Sequence, residues 1–373
     1  MIPTIPVNEP LLGEREVEYV MECFRTGWIS SAGRFIDEFE SRWAEYCGMR
    51  YGIAVSNGTA ALEVAIKCLD LQSGDEVIIP AFTIISCAQA VIYSGGVPVL
   101  VDSDPRIWTM DVNQIEAKIT SRTRAIMPVH IYGHPVDMDP VRTIAKKYDL
   151  RIVEDAAEAH GAEYRGQKCG GLGDISCFSF YANKIITTGE GGMLLTNSAQ
   201  YAEKARSLRN LCFRPERRFY HTELGHNYRL TNLQAAVGLA QLERIDELIA
   251  RKRRRAAAYN EGLRGVPGIT LPVEEPWASN VYWMYGIVLD EALGYDAVEF
   301  AQRLKKRGVD TRPFFLPMHQ QPVFHAMGFF QQGESYPVAE RLGKYGLYLP
   351  SGLALTDSQS DCVCDAVRSE LTG

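Results

Sequence analysis

The sequence predicts an α/β fold with a mostly parallel central sheet and helices on both of its faces. The first observation behind this is that, from about residue 50, short continuous apolar runs alternate with helical patterns. Apolar runs without polar alternation are typical of strands that are buried on both faces, as in parallel sheets. The second observation is the composition, 46% hydrophobic and 23% charged residues, which is that of an ordinary globular protein.

The predicted elements follow one another in strand–helix order. Strands are expected at YGIAVS (51–56), DEVIIP (75–80), VPVLVD (97–102), TRAIMPVHI (123–131), RIVEDA (151–156), ISCFSFY (175–181) and GGMLLTN (191–197). Helices are expected at residues 58–69, 83–95 and 139–149, and a single long helix is expected over 230–259. Strands that are separated by helices pair in parallel, so this order predicts one sheet covered on both faces.

The regular alternation of strand and helix patterns ends near residue 250. The stretch GLRGVPGITLPVEEP (262–276) is rich in glycine and proline, as connections between structural units are. Beyond it come a strong strand pattern, VYWMYGIVL (281–289), a helix over 296–308, the irregular segment TRPFFLPMHQQPVF (311–324) and a final helix. We therefore predict a large domain with an N-terminal segment over residues 1–250 and a smaller α/β domain over residues 251–373.

Charge and cysteine content exclude several classes of protein. The formal net charge of −7 argues against binding nucleic acid through bulk electrostatics, and the basic run at 251–255 is predicted to be a solvated helix face. No signal-peptide pattern and no apolar run of membrane-spanning length is visible. Nine scattered cysteines without metal-ligand spacing predict reduced, mostly buried thiols in a cytoplasmic protein.

Polar residues follow several predicted strands at their carboxyl ends, where open α/β sheets place their active sites. Ser56, Asn57, Gly58 and Thr59 lie between a strand and a helix. Free N–H groups at the helix start, a hydroxyl and a glycine suit a phosphate group. A plain helix cap explains the same residues, and taken alone this stretch favours the cap.

Three carboxylates, Glu154, Asp155 and Glu158, lie at or just past the end of the apolar strand predicted at 151–156. A carboxylate at the end of a buried strand is costly unless it meets a cation or a donor. A metal site, a structural salt bridge and a carboxylate that faces a protonated heterocyclic nitrogen all satisfy this requirement. His130 and His134 lie at a predicted strand end and not on a helix that could carry a ligand pair, so His130 and His160 are predicted to line the active site or to be satisfied core residues.

Lys184 lies in FSFYANKIITTGEGGM (178–193), among apolar and small residues that give it no reason to be a solvated cation. The chemistry that most often requires such an amine is Schiff-base formation with a carbonyl compound. Ser179 adds a second hydroxyl for a phosphate group. A phosphate site, a carboxylate and a lysine at successive strand ends together suit pyridoxal 5'-phosphate, which needs all three.

Six stretches of the chain resemble the signatures of the nucleotide-sugar aminotransferases. They are SNGTAAL (56–62), GDEVIIP (74–80), PVHIYGHPVDM (128–138), VEDAAEAHGA (153–162), GDISCFSFYANKIITTGEGGM (173–193) and HNYRLTNLQAAVGLAQL (226–242). The resemblance runs from about residue 5 to the C-terminus. It implies a fold-type I pyridoxal-phosphate enzyme that works as a homodimer with active sites shared between the subunits.

The resemblance also implies roles for individual residues. Lys184 would form the Schiff base with the cofactor and later move a proton between the cofactor and the sugar, whereas dehydratase relatives carry histidine there. Asp155 would pair with the pyridine nitrogen, and Glu158 would lie near the phenolic oxygen, where many relatives carry glutamine. Gly58, Thr59 and Ser179 would contact the phosphate, which Asn227 would reach from the neighbouring subunit.

One position departs from the family pattern. Many relatives carry an aromatic residue directly after the threonine of the PAFT stretch, where it stacks on the cofactor ring. This chain has Ile84 at that position. Either Ile84 packs against the ring without aromatic stacking, or Phe82 approaches it from nearby.

Further stretches resemble the family members that aminate GDP-4-keto-6-deoxymannose with L-glutamate as donor, for surface polysaccharide. They are TGWISSAGRFI (26–36), VDSDPRIWTM (101–110), HIYGHPVDM (130–138), and TRPFFLPMHQQPVF (311–324) with LPS further on. Trp28, Ser30, Arg312 and His319 are thus candidates for lining the sugar and nucleotide pocket. Trp28 as a core residue and Arg312 as a partner of a surface carboxylate are the competing interpretations.

Three other functions compete with this one. The first keeps the chemistry and changes the substrate to a UDP- or dTDP-linked ketosugar, aminated at C3 or C4. The second is a non-catalytic regulatory protein built on the same fold, against which Lys184, Asp155 and Asn227 argue. The third, a nicotinamide-dependent dehydrogenase, lacks the glycine-rich G-x-G-x-x-G turn after the first strand.

Overall fold

The structure is a computed structural model that describes residues 4–214, 216–331 and 333–372. Its strands are β1 Tyr51–Val55, β2 Glu76–Pro80, β3 Val97–Val101, β4 Thr123–Ile126, β5 Arg151–Asp155, β6 Glu163–Tyr164, β7 Gln167–Lys168, β8 Ile175–Ser179, β9 Gly192–Thr196, β10 Ile269–Thr270, β11 Ala278–Ser279, β12 Tyr285–Leu289, β13 Arg312–Pro313 and β14 Gly346–Leu349. Its α-helices are α1 Glu14–Thr26, α2 Arg34–Tyr46, α3 Gly58–Cys68, α4 Ser86–Tyr93, α5 Met138–Tyr148, α6 Ala199–Leu208, α7 Asn232–Leu242, α8 Ile245–Gly262, α9 Ala297–Lys306, α10 Pro322–Ala326, α11 Pro337–Tyr345 and α12 Asp357–Thr372.

The predicted α/β fold is confirmed. Seven strands form the central sheet in the order β1-β9-β8-β5-β4-β2-β3, and all seven were expected from the apolar runs. The pairs β3–β2, β2–β4, β4–β5 and β5–β8 are parallel, whereas β9 is antiparallel to both β8 and β1. The strands β2 and β9 are buried at every position, as strands covered on both faces must be.

A second sheet of four antiparallel strands, β10-β12-β14-β13, forms from the C-terminal part of the chain. It has its own core, to which α8, α9 and α12 contribute Tyr259, Phe300 and Val367. The predicted boundary at residue 250 falls inside α8, so the division into residues 1–250 and 251–373 stays a prediction. A small third sheet, β11-β6-β7, combines two strands from the first part of the chain with one from the C-terminal part.

The long helix expected over 230–259 is two helices, and that expectation was wrong. Arg244 leaves the helical conformation, with φ −124° and ψ 20°, and separates α7 from α8. The helix after this turn begins in the core of the first sheet, with Ile245 and Leu248, and reaches the core of the second sheet only at Ala256 and Tyr259. Apolar periodicity in the sequence does not distinguish one core from another.

The basic run at 251–255 is also only partly the solvated face that we predicted. Lys252 is buried, with 3% of its surface exposed, although Arg251 and Arg254 are exposed. The cysteine prediction is confirmed in its main point, because all nine thiols are free and eight of them are buried, Cys362 being exposed. Within the described part of the chain, no helix combines the length and the hydropathy needed to cross a bilayer.

Candidate active site

A cavity of about 590 Å³ opens at the carboxyl ends of the central strands. Its lining includes most of the residues that the sequence singled out: Gly58, Thr59, Ile84, Asp155, Glu158, Ser179 and Lys184. These residues come from segments that are far apart in sequence and meet because parallel strands end at one edge of the sheet. The volume is that of a small-molecule site.

Lys184 lies in the connection between β8 and the antiparallel strand β9. Its side chain is 9% exposed, and its Nζ lies 3.9 Å from Oε1 of Glu158. The same Nζ lies 3.7 Å from the ring centroid of Trp283, which is cation–π distance. Burial lowers the pKa of Lys184, and the carboxylates of Glu158 and Asp155 oppose that shift. Burial thus favours the neutral, nucleophilic form of the amine more than solvent would.

Asp155, the last residue of β5, is 2% exposed and carries a carboxylate that is held from two sides. The backbone N–H of Ala157 donates to Oδ1 at 3.0 Å, and the Cys87 thiol donates to Oδ2 at 3.2 Å. Among the described residues, no cationic side chain forms a salt bridge with Asp155; of the three carboxylates considered from sequence, Glu158 is the one that pairs with Lys184. Burial raises the pKa of Asp155. This buried carboxylate faces a cavity in which a cationic ligand atom would satisfy it.

Glu158 completes a group of three ionisable residues. The backbone N–H of Tyr132 donates to its Oε2 at 2.7 Å. Burial raises the pKa of Glu158 to about 7, against the opposing effects of Lys184 and of the Tyr132 N–H, with Asp155 adding to the rise. Tyr132 itself has φ 54°, a conformation that a non-glycine residue adopts at a cost, and its N–H is thereby directed at the carboxylate.

The raised pKa of Glu158 predicts a pH-dependent free energy of unfolding. Between its ordinary pKa of 4.5 and about 7, the folded protein binds more protons at Glu158 than the unfolded chain does. Stability is therefore lost as pH rises through this window, by an amount on the order of 3 kcal/mol. Urea unfolding of the cofactor-free protein at pH 5 and pH 8 measures the loss, which Glu158→Gln should remove. An equal loss of stability in the wild type and in Glu158→Gln would show that Glu158 is not the group responsible.

The predicted phosphate site lies where α3 and α4 begin. Asn57 caps α3, since its side chain accepts a hydrogen bond from the Ala60 N–H at 2.8 Å; the cap interpretation is correct for that residue. Gly58 and Thr59 remain at the cavity wall with the first backbone N–H groups of the helix. The hydroxyls of Thr59 and Ser86 lie 2.7 Å apart. Two helix starts and several hydroxyls favour an anion here.

Gly58 fits this site because a side chain there would have no room. A Cβ at residue 58 would lie 2.7 Å from Cβ of Ser179 and 3.3 Å from its Cα. The close approach brings the α3 start and the Ser179 hydroxyl to one place. It is a packing requirement that a sequence pattern does not reveal.

Ile84, not Phe82, lines the cavity. Ile84 is 38% exposed at its wall. Phe82 is 1% exposed and packs against the rings of Tyr132 and Phe314. Ile84 is thus placed to pack against a ligand ring without aromatic stacking.

Five other predicted residues lie outside the cavity of their own chain. Asn227 is exposed, although the next residue, Tyr228, lines the wall. Trp28 is 57% exposed, which excludes the core interpretation for this residue, and Ser30 is exposed as well. Arg312 pairs with Asp310 at 2.9 Å, which is the surface ion pair considered from sequence. His319 is buried, with Nε2 3.0 Å from Oε1 of Glu340.

The histidines considered as ligands have other partners. Nε2 of His130 lies 3.0 Å from Oε1 of Glu154, and its Nδ1 accepts from the Val136 N–H, so His130 is a satisfied core residue. Glu154 also accepts hydrogen bonds from Gly170, Leu172, Gly173 and Ser176. Among the described residues, His130, Glu154 and Cys169 approach metal-site spacing, but these hydrogen bonds already occupy both oxygens of the carboxylate. We therefore assign the group a structural role.

His160 and His134 are both buried and neutral. The His160 ring lies 5.5 Å from the rings of Trp43 and Phe178, and burial lowers its pKa to about 3. Burial lowers the pKa of His134 to about 4, and its Nδ1–H donates to the Pro135 carbonyl at 2.7 Å. Neither ring lines the cavity. His160 is therefore a core residue, but neither of its ring nitrogens has a hydrogen-bond partner among the described residues, so the expectation that it would be satisfied was wrong.

Several residues of the cavity were missed by the sequence analysis. The second sheet and the segments around it add Trp283, Phe315 and Tyr348, and α4 adds Ser86. Trp283 precedes β12, and its Nε1–H donates to the Asn183 carbonyl at 2.8 Å. The aromatic residues at the start of the VYWMYGIVL stretch could have indicated a cavity wall. We interpreted the whole stretch as a buried strand and did not consider them for the site.

Comparison with known proteins agrees with this geometry. Residues 10–368 match the model of the DegT/DnrJ/EryC1/StrS aminotransferase family. The chain is 46% identical to the GDP-perosamine synthase of Caulobacter vibrioides, covering 99% of both chains, and 41% identical to that of Escherichia coli O157:H7, covering 98% of both. The crystal structure of DesV from S. venezuelae superposes with a TM-score of 0.92 at 35% identity, over 100% of this chain and 99% of that one.

Proposed function

The chain belongs to the DegT/DnrJ/EryC1/StrS aminotransferase family, and from this premise we propose that it converts GDP-4-keto-6-deoxy-D-mannose to GDP-perosamine with L-glutamate as amino donor. The observation that carries the proposal is the 46% identity to the Caulobacter vibrioides GDP-perosamine synthase over nearly the whole of both chains. The product would serve the synthesis of surface polysaccharide such as O-antigen. The nine free thiols suit a reaction in the reducing cytoplasm.

The enzyme is a pyridoxal-phosphate-dependent aminotransferase. When bound, the cofactor supplies an aldehyde for the amine and a ring that accepts electrons from the carbon being aminated. The described residues fit this group: a largely buried amine at Lys184, a buried carboxylate without a cationic partner at Asp155, and the close approach at Gly58. We assign the ring nitrogen to Asp155 and the phosphate to Gly58, Thr59 and Ser179.

Within this arrangement, we assign Lys184 two tasks. Its amine binds the cofactor, and once released it carries a proton between carbon atoms of the cofactor and of the substrate. Burial favours the neutral amine that both tasks require, and Glu158 stands 3.9 Å away as a carboxylate that can hold a proton. Asp155 keeps a cationic nitrogen protonated because its own charge is buried and otherwise unpaired. The indole of Trp283, 3.7 Å from the amine, shields it from water on one side.

Gly58→Ala should weaken cofactor binding about tenfold or more. Alanine is the better helix former, so local propensity favours the variant, but the new Cβ collides with Ser179 at 2.7 Å. Absorbance titration of the cofactor-free protein with pyridoxal phosphate measures the affinity. Ser179→Gly in the same background removes the colliding Cβ, and should recover part of the loss. Unchanged affinity in Gly58→Ala would place the phosphate elsewhere.

We propose that the active form is a homodimer in which Asn227 completes the partner's site. Asn227 is exposed beside Tyr228, which lines the cavity, and so it can face a second chain. On α1, Val17, Met21 and Phe24 expose 64%, 41% and 58% of their surfaces, with helical spacing that puts them on one face. An apolar face of this kind on a water-exposed helix is typical of a protein interface.

Mixing two inactive variants tests the shared site. Lys184→Ala and Asn227→Ala are unfolded together and refolded, and assayed at a cofactor concentration at which neither parent is active. If Asn227 acts across the interface, each hybrid dimer holds one site with both changes and one with neither. Activity should return to about a quarter of the wild-type value, because half of the dimers are hybrids. No recovery would show that Asn227 acts within its own chain.

The substrate is tested by mass spectrometry of the product formed from glutamate and GDP-4-keto-6-deoxymannose. An aminated GDP-sugar supports the proposal. Without a sugar product, conversion of the bound cofactor to its amine form by glutamate alone would keep the aminotransferase and reject this sugar. UDP- and dTDP-linked ketosugars would then be assayed. Trp28, Ser30, Arg312 and His319 stay predicted sugar or nucleotide contacts, to be probed by the Michaelis constant of each alanine variant.

A further inference from the structure

Lys252 is a buried lysine that the proposed reaction does not use. It lies in α8 within the basic run, and it is 3% exposed. Its Nζ lies 2.6 Å from the carbonyl oxygen of Trp283 and 2.5 Å from that of Ser351. Among the described residues, no carboxylate forms a salt bridge with it. Burial, and then the charge of Arg255, lower its pKa to about 7.

These two carbonyls mark the ends of neighbouring strands that face the active site. Trp283 comes just before β12, and Ser351 comes just after β14. The two strands pair with Tyr285 opposite Leu349, so their ends lie side by side. Lys252 thus joins α8 to both strand ends through one side chain.

The bond to Trp283 reaches the nucleophile in one further step. The indole Nε1–H donates to the Asn183 carbonyl, and the indole face lies 3.7 Å from Nζ of Lys184. Trp283 is therefore fixed at its backbone by Lys252 and at its ring by the residue before Lys184. A shift of the Trp283 backbone would displace the ring from the amine of Lys184, because this residue is 3% exposed and its packed side has little room for the side chain to compensate.

We propose that Lys252 is a positioning residue that holds the indole of Trp283 against the amine of Lys184. The proposal rests on the role that we assign to Lys184. Packing alone does not explain a lysine here, since an ammonium without a carboxylate is costly to bury and an apolar side chain would fill the space. Two backbone acceptors explain it, because the amine can donate to both in either protonation state.

The test compares two changes in the same helix. Lys252→Met removes the donor to both carbonyls. Tyr259→Phe is the matched control, because the Tyr259 hydroxyl donates to the Pro350 carbonyl at 2.6 Å, next to Ser351, and forms no hydrogen bond with Trp283. Both variants should lower the urea midpoint of unfolding. Only Lys252→Met should lower kcat, by about 10- to 100-fold, with the KM for glutamate within about twofold, because misplacing a reacting group costs rate more than binding. Equal kcat values in the two variants would overturn the proposal.

A double-mutant cycle shows whether the effect passes through Trp283. In a Trp283→Phe background, Lys252→Met should cause less than about a threefold further loss of kcat, because the contact that Lys252 supports is already gone. A full second loss would overturn the proposal. Should Lys252→Met fail to fold, Lys252→Gln, which keeps one amide donor, takes its place, with a smaller loss of kcat expected under the same criteria.

A measurement without substrate separates this proposal from the role of Lys184. In the cofactor-free protein, the emission difference between wild type and Trp283→Phe isolates the fluorescence of Trp283. Lys184→Met removes the contact between the amine and the indole and should change that emission, and Lys252→Met should change it in the same direction. An unchanged emission in Lys252→Met would reject the positioning role even if Lys184 proves to be the nucleophile. Turnover by Lys184→Ala would instead reject the assigned nucleophile, whatever the emission shows.

Discussion

Lys184→Ala is expected to abolish transamination, with kcat reduced roughly 10⁴- to 10⁶-fold, as when a member of a covalent catalytic unit is removed. Lys184 carries the amine at the cavity wall, and its side chain is only 9% exposed. The lowered pKa of this amine suits nucleophilic attack on an aldehyde. Its loss removes both the covalent attachment of the cofactor and the carrier of the proton. Single-turnover rates with glutamate and with the ketosugar measure the two half-reactions separately.

Two further variants show that the amine, and not the positive charge, is required. Lys184→Arg keeps the charge but cannot lose its proton near neutral pH, so it should be as inactive as alanine. Lys147→Ala, the matched control, removes an exposed lysine that pairs with Glu116, and its kcat should stay within about twofold of wild type. A Lys184→Ala enzyme with more than about a hundredth of the wild-type rate would exclude this residue as the nucleophile.

The central sheet and most of its cavity were predictable because both follow from local patterns. Continuous apolar runs mark strands that are buried on both faces, and the residue after such a run lies at the strand end. Gly58, Asp155 and Ser179 could be found for this reason: each lies at or just after an apolar strand. Lys184 could be found because its sequence neighbours are apolar or small, which is unusual for a lysine that holds its charge in water.

The remaining features depend on packing between distant segments. The periodicity of the sequence continues across the break at Arg244, and the helix after it passes from the first core to the second. Lys252 lies in a run of five basic residues but turns inward to two carbonyls that are 31 and 99 residues away. Trp283 reaches the cavity only because the second sheet is folded against the first. No local pattern encodes these contacts.

Asp155→Ala is expected to lower kcat/KM by at least about 100-fold. Removing one member of a buried charge pair costs about 3–5 kcal/mol, and a factor of ten in rate corresponds to about 1.4 kcal/mol. The carboxylate is 2% exposed and has no salt-bridge partner among the described residues, so a protonated ring nitrogen is the charge that it would stabilise. Asp155 would keep that nitrogen protonated, so the variant would lose the residue that supports the electron-accepting chemistry the cofactor would supply.

Asp155→Asn separates the charge from the shape. Asparagine keeps the size and can still accept the hydrogen bond from the Ala157 N–H, so cofactor binding should change less than turnover does. Glu16→Gln is the matched control, because Glu16 is a buried carboxylate of α1 that bonds Gln241 and lies outside the cavity. Its kcat/KM should stay within about twofold of wild type. If Asp155→Asn turned over like Glu16→Gln, the charge of Asp155 would be dispensable, and the ring nitrogen would need a different partner.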